Sequence, residues 1–172
     1  EGTKLPALVA RDYTWVQPLG AATPADTDTY WNYDSTAGLW RQEDVTGAHV
    51  FGVPFTRLPL LGTLKEVGVY VEGDGGGSGH GSTKPATMPV LSVYQRTIST
   101  GTRTLLGSTT DNSASAAAYD TAHSIVVSGL STSVTSLVDL YAELSGEAGA
   151  NAVVGLACYG CYVIVEATAI SP

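Results

Sequence analysis

From about Ala48 onward, apolar and polar residues along the chain alternate with a period of two. Val67, Val69 and Val71 alternate with Glu66, Gly68 and Tyr70, the pattern of a strand with one buried face. Leu91 and Val93 repeat it after Pro89. Thr102 to Thr110 is a Thr-rich strand, joined to its predecessor by the turn Ser99-Thr-Gly101. Ile125 and Val127 follow, ended by Ser128-Gly129. Val138, Leu140, Ala142 and Leu144 then face one way while Asp139, Tyr141 and Glu143 face the other. Ala152 to Thr168 reads as a long strand interrupted near Gly155 and Gly160. Only Ser113 to Asp120, Ala-rich with a Ser cap, has helical composition. About seven or eight strands separated by Gly, Pro, Asn, Asp and Ser clusters predict an all-β fold: a single β-sandwich on a jelly-roll or Greek-key-like path.

Residues 1 to 46 show no sustained period. They carry Pro6, Pro18 and Pro24, and all three tryptophans. Disordered tails are poor in aromatics, so this stretch is expected to be an irregular, extended N-terminal arm that folds onto its own domain or onto a neighbour. The sandwich is expected to occupy residues 47–172. Trp15, Tyr30, Trp31, Tyr33 and Trp40 are the candidate contact residues. Aromatics in such an arm anchor it to a core or a partner, and an exposed cluster is alternatively a stacking platform for a glycan.

Composition narrows the partners. Charged residues make up 14% of the chain and hydrophobic ones 44%, so much of the surface is Ser, Thr, Gly, Asn and Ala. The net charge is −8, with eight scattered basic residues and none beyond Arg103. Phosphate binding needs clustered Lys and Arg, which excludes nucleic acid as the expected partner. Ala148 to Val165 is uncharged and just reaches spanning length, but its glycines and its Val, Ile and Tyr favour a strand, so no membrane span is expected.

Candidate chemistry adds little. The run from Glu72 to Gly81 has neither dinucleotide nor P-loop spacing and reads as a flexible loop. Cys158 and Cys161 form a single C-x-x-C inside a strand. Residues three apart in a regular strand point to opposite faces. A bulge at Gly160 would account for the phase change from Val154, Leu156 and Cys158 to Cys161, Val163 and Val165. Two core thiols are the reading preferred over a disulfide or redox chemistry. His49 and His123 read as strand-entry residues. With His80 they make up all the histidines, and no metal-ligand spacing or nucleophile elbow accompanies them. Glu143 and Glu147 flank a turn, and Glu66 and Glu72 flank a strand. No catalytic residue, cofactor or metal is expected.

Four segments carry a family resemblance: Gly62-Thr-Leu-Lys-Glu-Val-Gly-Val-Tyr-Val71, Pro85-Ala-Thr-Met-Pro-Val-Leu-Ser-Val-Tyr94, Asp111-Asn-Ser-Ala-Ser115 with Ala118-Tyr119, and Tyr141-Ala-Glu-Leu-Ser-Gly-Glu-Ala-Gly-Ala-Asn-Ala152. In cadence, Gly62 to Thr168 resembles β-sandwich virion proteins of tailed bacteriophages and prophages. The resemblance implies a capsid decoration (cement) protein or a tail or fibre component. Its partners would be itself and other virion proteins, as a homo-oligomer with a trimer favoured. The expectation is therefore a non-enzymatic structural subunit of an extracellular phage-like particle. The alternatives are a carbohydrate-binding module on a host-recognition protein, and a secreted filament or surface-layer subunit at the cell surface.

Overall fold

A computed structural model describes residues 8–17, 23–24, 31–42, 47–73, 83–148 and 155–170. Tyr30, His80, most of the glycine-rich run and Val154 lie outside the described residues. Among the described ones the chain forms twelve strands and one short helix. They are β1 (Leu8–Gln17), β2 (Thr23–Pro24), β3 (Trp31–Asp34), β4 (Leu39–Gln42), β5 (Val50–Pro54), β6 (Thr63–Glu72), β7 (Val90–Thr97), β8 (Arg103–Thr110), α1 (Ala116–Tyr119), β9 (His123–Val127), β10 (Thr132–Ser133), β11 (Val138–Ser145) and β12 (Ala157–Ile170).

Two sheets form the expected β-sandwich. In the seven-stranded sheet, β12 lies beside β6 on one edge and beside both β1 and β4 on the other, with β3 beyond β4 and with β9 and β10 beyond β6. The five-stranded sheet runs β2-β5-β11-β7-β8. Period-two alternation turns Leu140, Ala142 and Leu144 of β11 toward Leu91 and Val93 of β7 and Val67, Val69 and Val71 of β6, all in one buried cluster. Truncating any one of these buried leucines to Ala costs about 2–5 kcal/mol, because the cavity closes only partly.

Turn chemistry fits the connections. Gly101 takes φ 68 between β7 and β8, a left-handed conformation that glycine adopts at no steric cost. Between β3 and β4, the Asp34 carboxylate accepts from the N–H groups of Thr36 (2.9 Å) and Ala37 (3.0 Å), and Gly38 closes the turn at φ 70. Helix α1 is capped as its composition predicts: the Ser115 hydroxyl accepts from Ala118 N at 3.2 Å.

The stretch expected as an irregular arm is built into the body of the sandwich. Strand β1 pairs with β12 over its full length, from Leu8↔Ile170 to Gln17↔Cys161. β3 and β4 extend the same sheet, and β2 pairs with β5 in the other. Among the described residues, strands ending by residue 42 thus pair with strands that begin at or after residue 50 in both sheets. A buried amide fixes the junction: Gln42 Nε2 donates to the carbonyls of Gly47 and Glu147, both at 3.0 Å, while Gln42 Oε1 accepts from Glu147 N at 2.9 Å.

Candidate functional site

The outer face of the five-stranded sheet carries an ordered row of side chains. Strand β11 turns Asp139, Tyr141 and Glu143 outward, opposite Arg96, Tyr94 and Ser92 of β7. On the other side of β11, Tyr141 pairs with Pro54 and Glu143 with Gly52 of β5. Because Gly52 has no side chain, the flank of β11 stays open there. A cleft of about 610 Å³ lies here, with Gly52, Pro54, Tyr141, Glu143, Arg96 and Asp139 among its lining. Phe55, Leu58 and Leu60 wall one side, and Val134, Thr135 and Val138 another. The wall segment is held by Phe55 N donating to Leu140 O (3.0 Å) and Leu61 N to Val134 O (2.9 Å). Arg57 and Leu61 in it have φ of 60 and 67, left-handed values costly for residues with a Cβ and most often kept near functional surfaces.

A bulge delivers the fourth strand's contribution. Val93 pairs with Gly107 but Tyr94 with Leu105, so Leu106 is an extra residue on β8. Beyond it the phase reverses, and Arg103 pairs with Arg96 on the outer face. The Arg103 guanidinium lies 3.6 Å above the Tyr94 ring centroid, and Tyr94 stacks on Tyr141 at 5.6 Å and 22°. Arg103 also pairs with the Glu143 carboxylate. Arg96 holds Asp139 through two hydrogen bonds to Oδ2, from Nη2 at 2.7 Å and Nε at 3.3 Å. Burial opposes the Arg103 charge, but Glu143, Tyr141 and Tyr94 outweigh it and raise its pKa. The Asp139 hydrogen bond likewise raises Arg96. Burial raises the Tyr141 phenol, so it stays a neutral donor at physiological pH. Exposed ion pairs contribute only about 0–1 kcal/mol to stability. Their effect here is positional: they lock two aromatic rings and four charged groups into one geometry beside an open cleft.

The described aromatics among those singled out in the sequence, Trp15, Trp31, Tyr33 and Trp40, sit elsewhere. Trp31 is 2% exposed, stacks on Phe51 at 5.1 Å and donates its indole N–H to His49 O at 3.0 Å. Trp40 packs on Phe51 at 5.1 Å, and Tyr33, 45% exposed, leans on Trp40 at 5.4 Å. Trp15 packs against the core from β1 with its indole nitrogen buried. The structure does not bring these rings to the cleft. Tyr94, Tyr141 and Arg103 were not picked out, although the outward phase of Tyr141 in β11 was readable.

A Ser-His-Asp cluster does assemble. His123 Nε2 lies 2.7 Å from Asp111 Oδ2 and 3.4 Å from Ser113 Oγ, and the Ser113 hydroxyl donates to Asp111 Oδ1 at 2.8 Å. A serine nucleophile needs its hydroxyl on one imidazole nitrogen and the carboxylate on the other. Here hydroxyl and carboxylate share Nε2, while Nδ1 lies 2.7 Å from the Thr121 carbonyl. The cluster is a brace tying the segment before α1 to the start of β9. The Asp111 hydrogen bond raises the His123 pKa against the opposing effect of burial. Burial alone would raise Asp111, but hydrogen bonds from His123 and Ser113 hold it below its ordinary value.

Cys158 and Cys161 are free thiols, both buried. The register of β12 shifts between Cys158 and Gly160, so both face the interior, as the phase change across Gly160 suggested. Burial pushes the Cys158 thiol up to about 12 and Cys161 up as well, so both are held as neutral thiols near neutral pH. Among the described residues, no three His, Cys, Asp or Glu side chains meet to hold a metal ion, and no helix is long and apolar enough to cross a membrane.

No protein-family model matches the chain, and no curated protein sequence matches it. Several solved structures do. The low-affinity xylan-binding module CBM86 of Roseburia intestinalis matches with a TM-score of 0.46 at 10% identity, over 94% of this chain and 96% of that one. TmCBM61, solved in complex with β-1,4-galactotriose, matches at 0.44 and 7% identity, over 88% of this chain and 92% of that one. A family two carbohydrate esterase from Cellvibrio japonicus matches at 0.44 and 6% identity, over 95% of this chain but 36% of its own length. At such values the likeness assigns no residue and no activity. The expectation of a phage-particle subunit is corrected by it nonetheless: these structures are carbohydrate-binding modules and a carbohydrate esterase, and none is a virion protein. The cadence behind that expectation is the ordinary alternation of sandwich strands, which many unrelated proteins share.

Proposed function

We propose that this chain is a non-catalytic carbohydrate-binding module, acting outside the cell or at its surface, whose site is the cleft over the five-stranded sheet. The observation that carries this reading is the grouping of Tyr141, Glu143, Asp139 and Arg96 along one open flank of β11 above Gly52. A pyranose ring offers an apolar face of C–H groups and a rim of hydroxyls. The Tyr141 ring, backed by Tyr94 and Arg103, is a rigid surface for the former. The carboxylates and guanidinium groups beside it supply acceptors and donors for the latter. The groups are held in place before any ligand arrives, which spares the ordering cost of binding.

Affinity electrophoresis through gels containing soluble plant and microbial polysaccharides tests this. The intact protein should be retarded by at least one polymer. Tyr141→Ala should weaken that retardation about tenfold or more, since a central aromatic anchor is worth roughly 2 kcal/mol. A protein that migrates freely through every polymer would remove the reading.

A further inference from the structure

We infer that the cleft selects uncharged sugars and rejects uronic-acid polymers, an inference that rests on the glycan reading above. The reason is the charge balance of the face. Two cations are directed at it, and each is already held by a carboxylate of β11: Arg96, on the adjacent β7, by Asp139, and Arg103, reaching across β7 from β8, by Glu143. The other elements place no charged residue at its lining, Arg57 of the wall segment standing outside it. β5 contributes Gly52 and Pro54, the preceding wall contributes Phe55, Leu58 and Leu60, and the 134–138 segment contributes Val134, Thr135 and Val138. The lining therefore sums to one arginine against two acids, with Arg103 reaching Glu143 from behind Tyr94.

A carboxylated sugar entering this space would have to draw a guanidinium off its partner and then sit beside the acid left behind. Losing a paired charge and gaining a like-charge neighbour both oppose binding. At longer range the net charge of −8 repels a polyanion as it approaches. Hydroxyl groups meet no such barrier. A carboxylate that accepts from an arginine retains free lone pairs, so Asp139 and Glu143 take hydroxyl hydrogen bonds without breaking their ion pairs. The two pairs are thus a specificity device: they keep the arginines in position while cancelling their attraction for anions.

The test uses the intact protein at about 0.1 M salt, where screening acts beyond roughly 10 Å. Retardation is measured in gels of neutral polymers (xylan, galactan, mannan, β-glucan) and anionic ones (polygalacturonate, alginate, hyaluronan). The expected result is retardation by a neutral polymer at least about tenfold stronger than by any anionic one. The double variant Asp139→Asn, Glu143→Gln frees both arginines at exposed or half-exposed positions and should strengthen binding to an anionic polymer about tenfold. Circular dichroism of that variant confirms that the fold is kept. If polygalacturonate, alginate or hyaluronan retards the unaltered protein more than every neutral polymer, the inference falls and the glycan reading stands. If the folded double variant gains nothing on anionic polymers, the ion pairs are not what excludes them, and the inference also falls. If no polymer retards the unaltered protein, the glycan reading itself has failed.

Discussion

Replacing Gln42 by Ala would take away the amide that pairs with the buried carbonyl and N–H of Glu147 and with the half-buried carbonyl of Gly47. Each buried polar group left unpaired costs about 1–3 kcal/mol, so Gln42→Ala is expected to destabilise the protein by about 3 kcal/mol or more, read from its urea midpoint. A shift below about 1 kcal/mol would mean that water replaces the amide. The His123 brace gives a prediction of a different kind. Protonated His123 donates from both nitrogens, to Asp111 and to Thr121; neutral His123 can donate to only one. Its folded pKa is raised above the ordinary 6.5, so its contribution is complete below about that value and fades as pH rises through the higher folded pKa. Asp111 is depressed below 3.8, so its contribution holds above that value and is lost as pH falls through the lower folded pKa. The stability difference between the native protein and His123→Gln should therefore be largest between about pH 4 and 6.5 and shrink toward pH 9. An unchanged difference across that range would show that the charge on His123 contributes nothing. None of this pairing was readable in the sequence, because Asp111, Ser113 and His123 meet only after α1 turns the chain back.

Among the elements, those with a clean alternation were readable and those with a defect were readable only in part. β7, β9, β11 and β6 from Val67 to Val71 follow the period-two pattern, and the turn at Gly101 was marked by its own composition. The bulge in β12 was readable because Gly160 coincides with a change of phase between Cys158 and Cys161. The bulge in β8 was not: Leu105, Leu106 and Gly107 give no such change, since one apolar residue faces out and the next faces in. β1 escaped for a related reason. It buries Gln17, whose Oε1 accepts from Thr56 N at 2.7 Å, and leaves Val16 80% exposed, the reverse of what hydropathy predicts. The candidate site depends on the β8 defect. Arg103→Ala should remove the guanidinium from above the Tyr94 ring and leave the Tyr94–Tyr141 stack unsupported on that side. Polysaccharide affinity is expected to drop about tenfold while the unfolding midpoint moves by roughly 1 kcal/mol or less, the usual scale for a surface change. If affinity survives without the Arg103 side chain, Tyr141 alone makes the site.

For the molecule as a whole, the decisive question is whether residues 47–172 fold without the first 46, as an arm-plus-sandwich organisation requires. The structure predicts that they do not. Truncation removes β1 from the β12 edge between Cys161 and Ile170 and removes β3 and β4 from the same sheet. It takes Trp31 away from Phe51 and its indole N–H from the His49 carbonyl. It also takes Gln42 out of the junction where Gly146 and Gly155 close on it: a methyl group at Gly155 would fall 1.4 Å from the Gln42 carbonyl oxygen, so the backbones there are in direct contact. Loss of one buried tryptophan costs about 3–5 kcal/mol and the stranded polar groups about as much again. Together these match the 5–15 kcal/mol that separates folded from unfolded states in a domain of this size. A chain beginning at residue 47 should therefore show no cooperative thermal transition and should bind hydrophobic dye, whereas the full chain melts as one unit. A truncated chain that melts cooperatively with native-like circular dichroism would instead establish the first 46 residues as a separable arm.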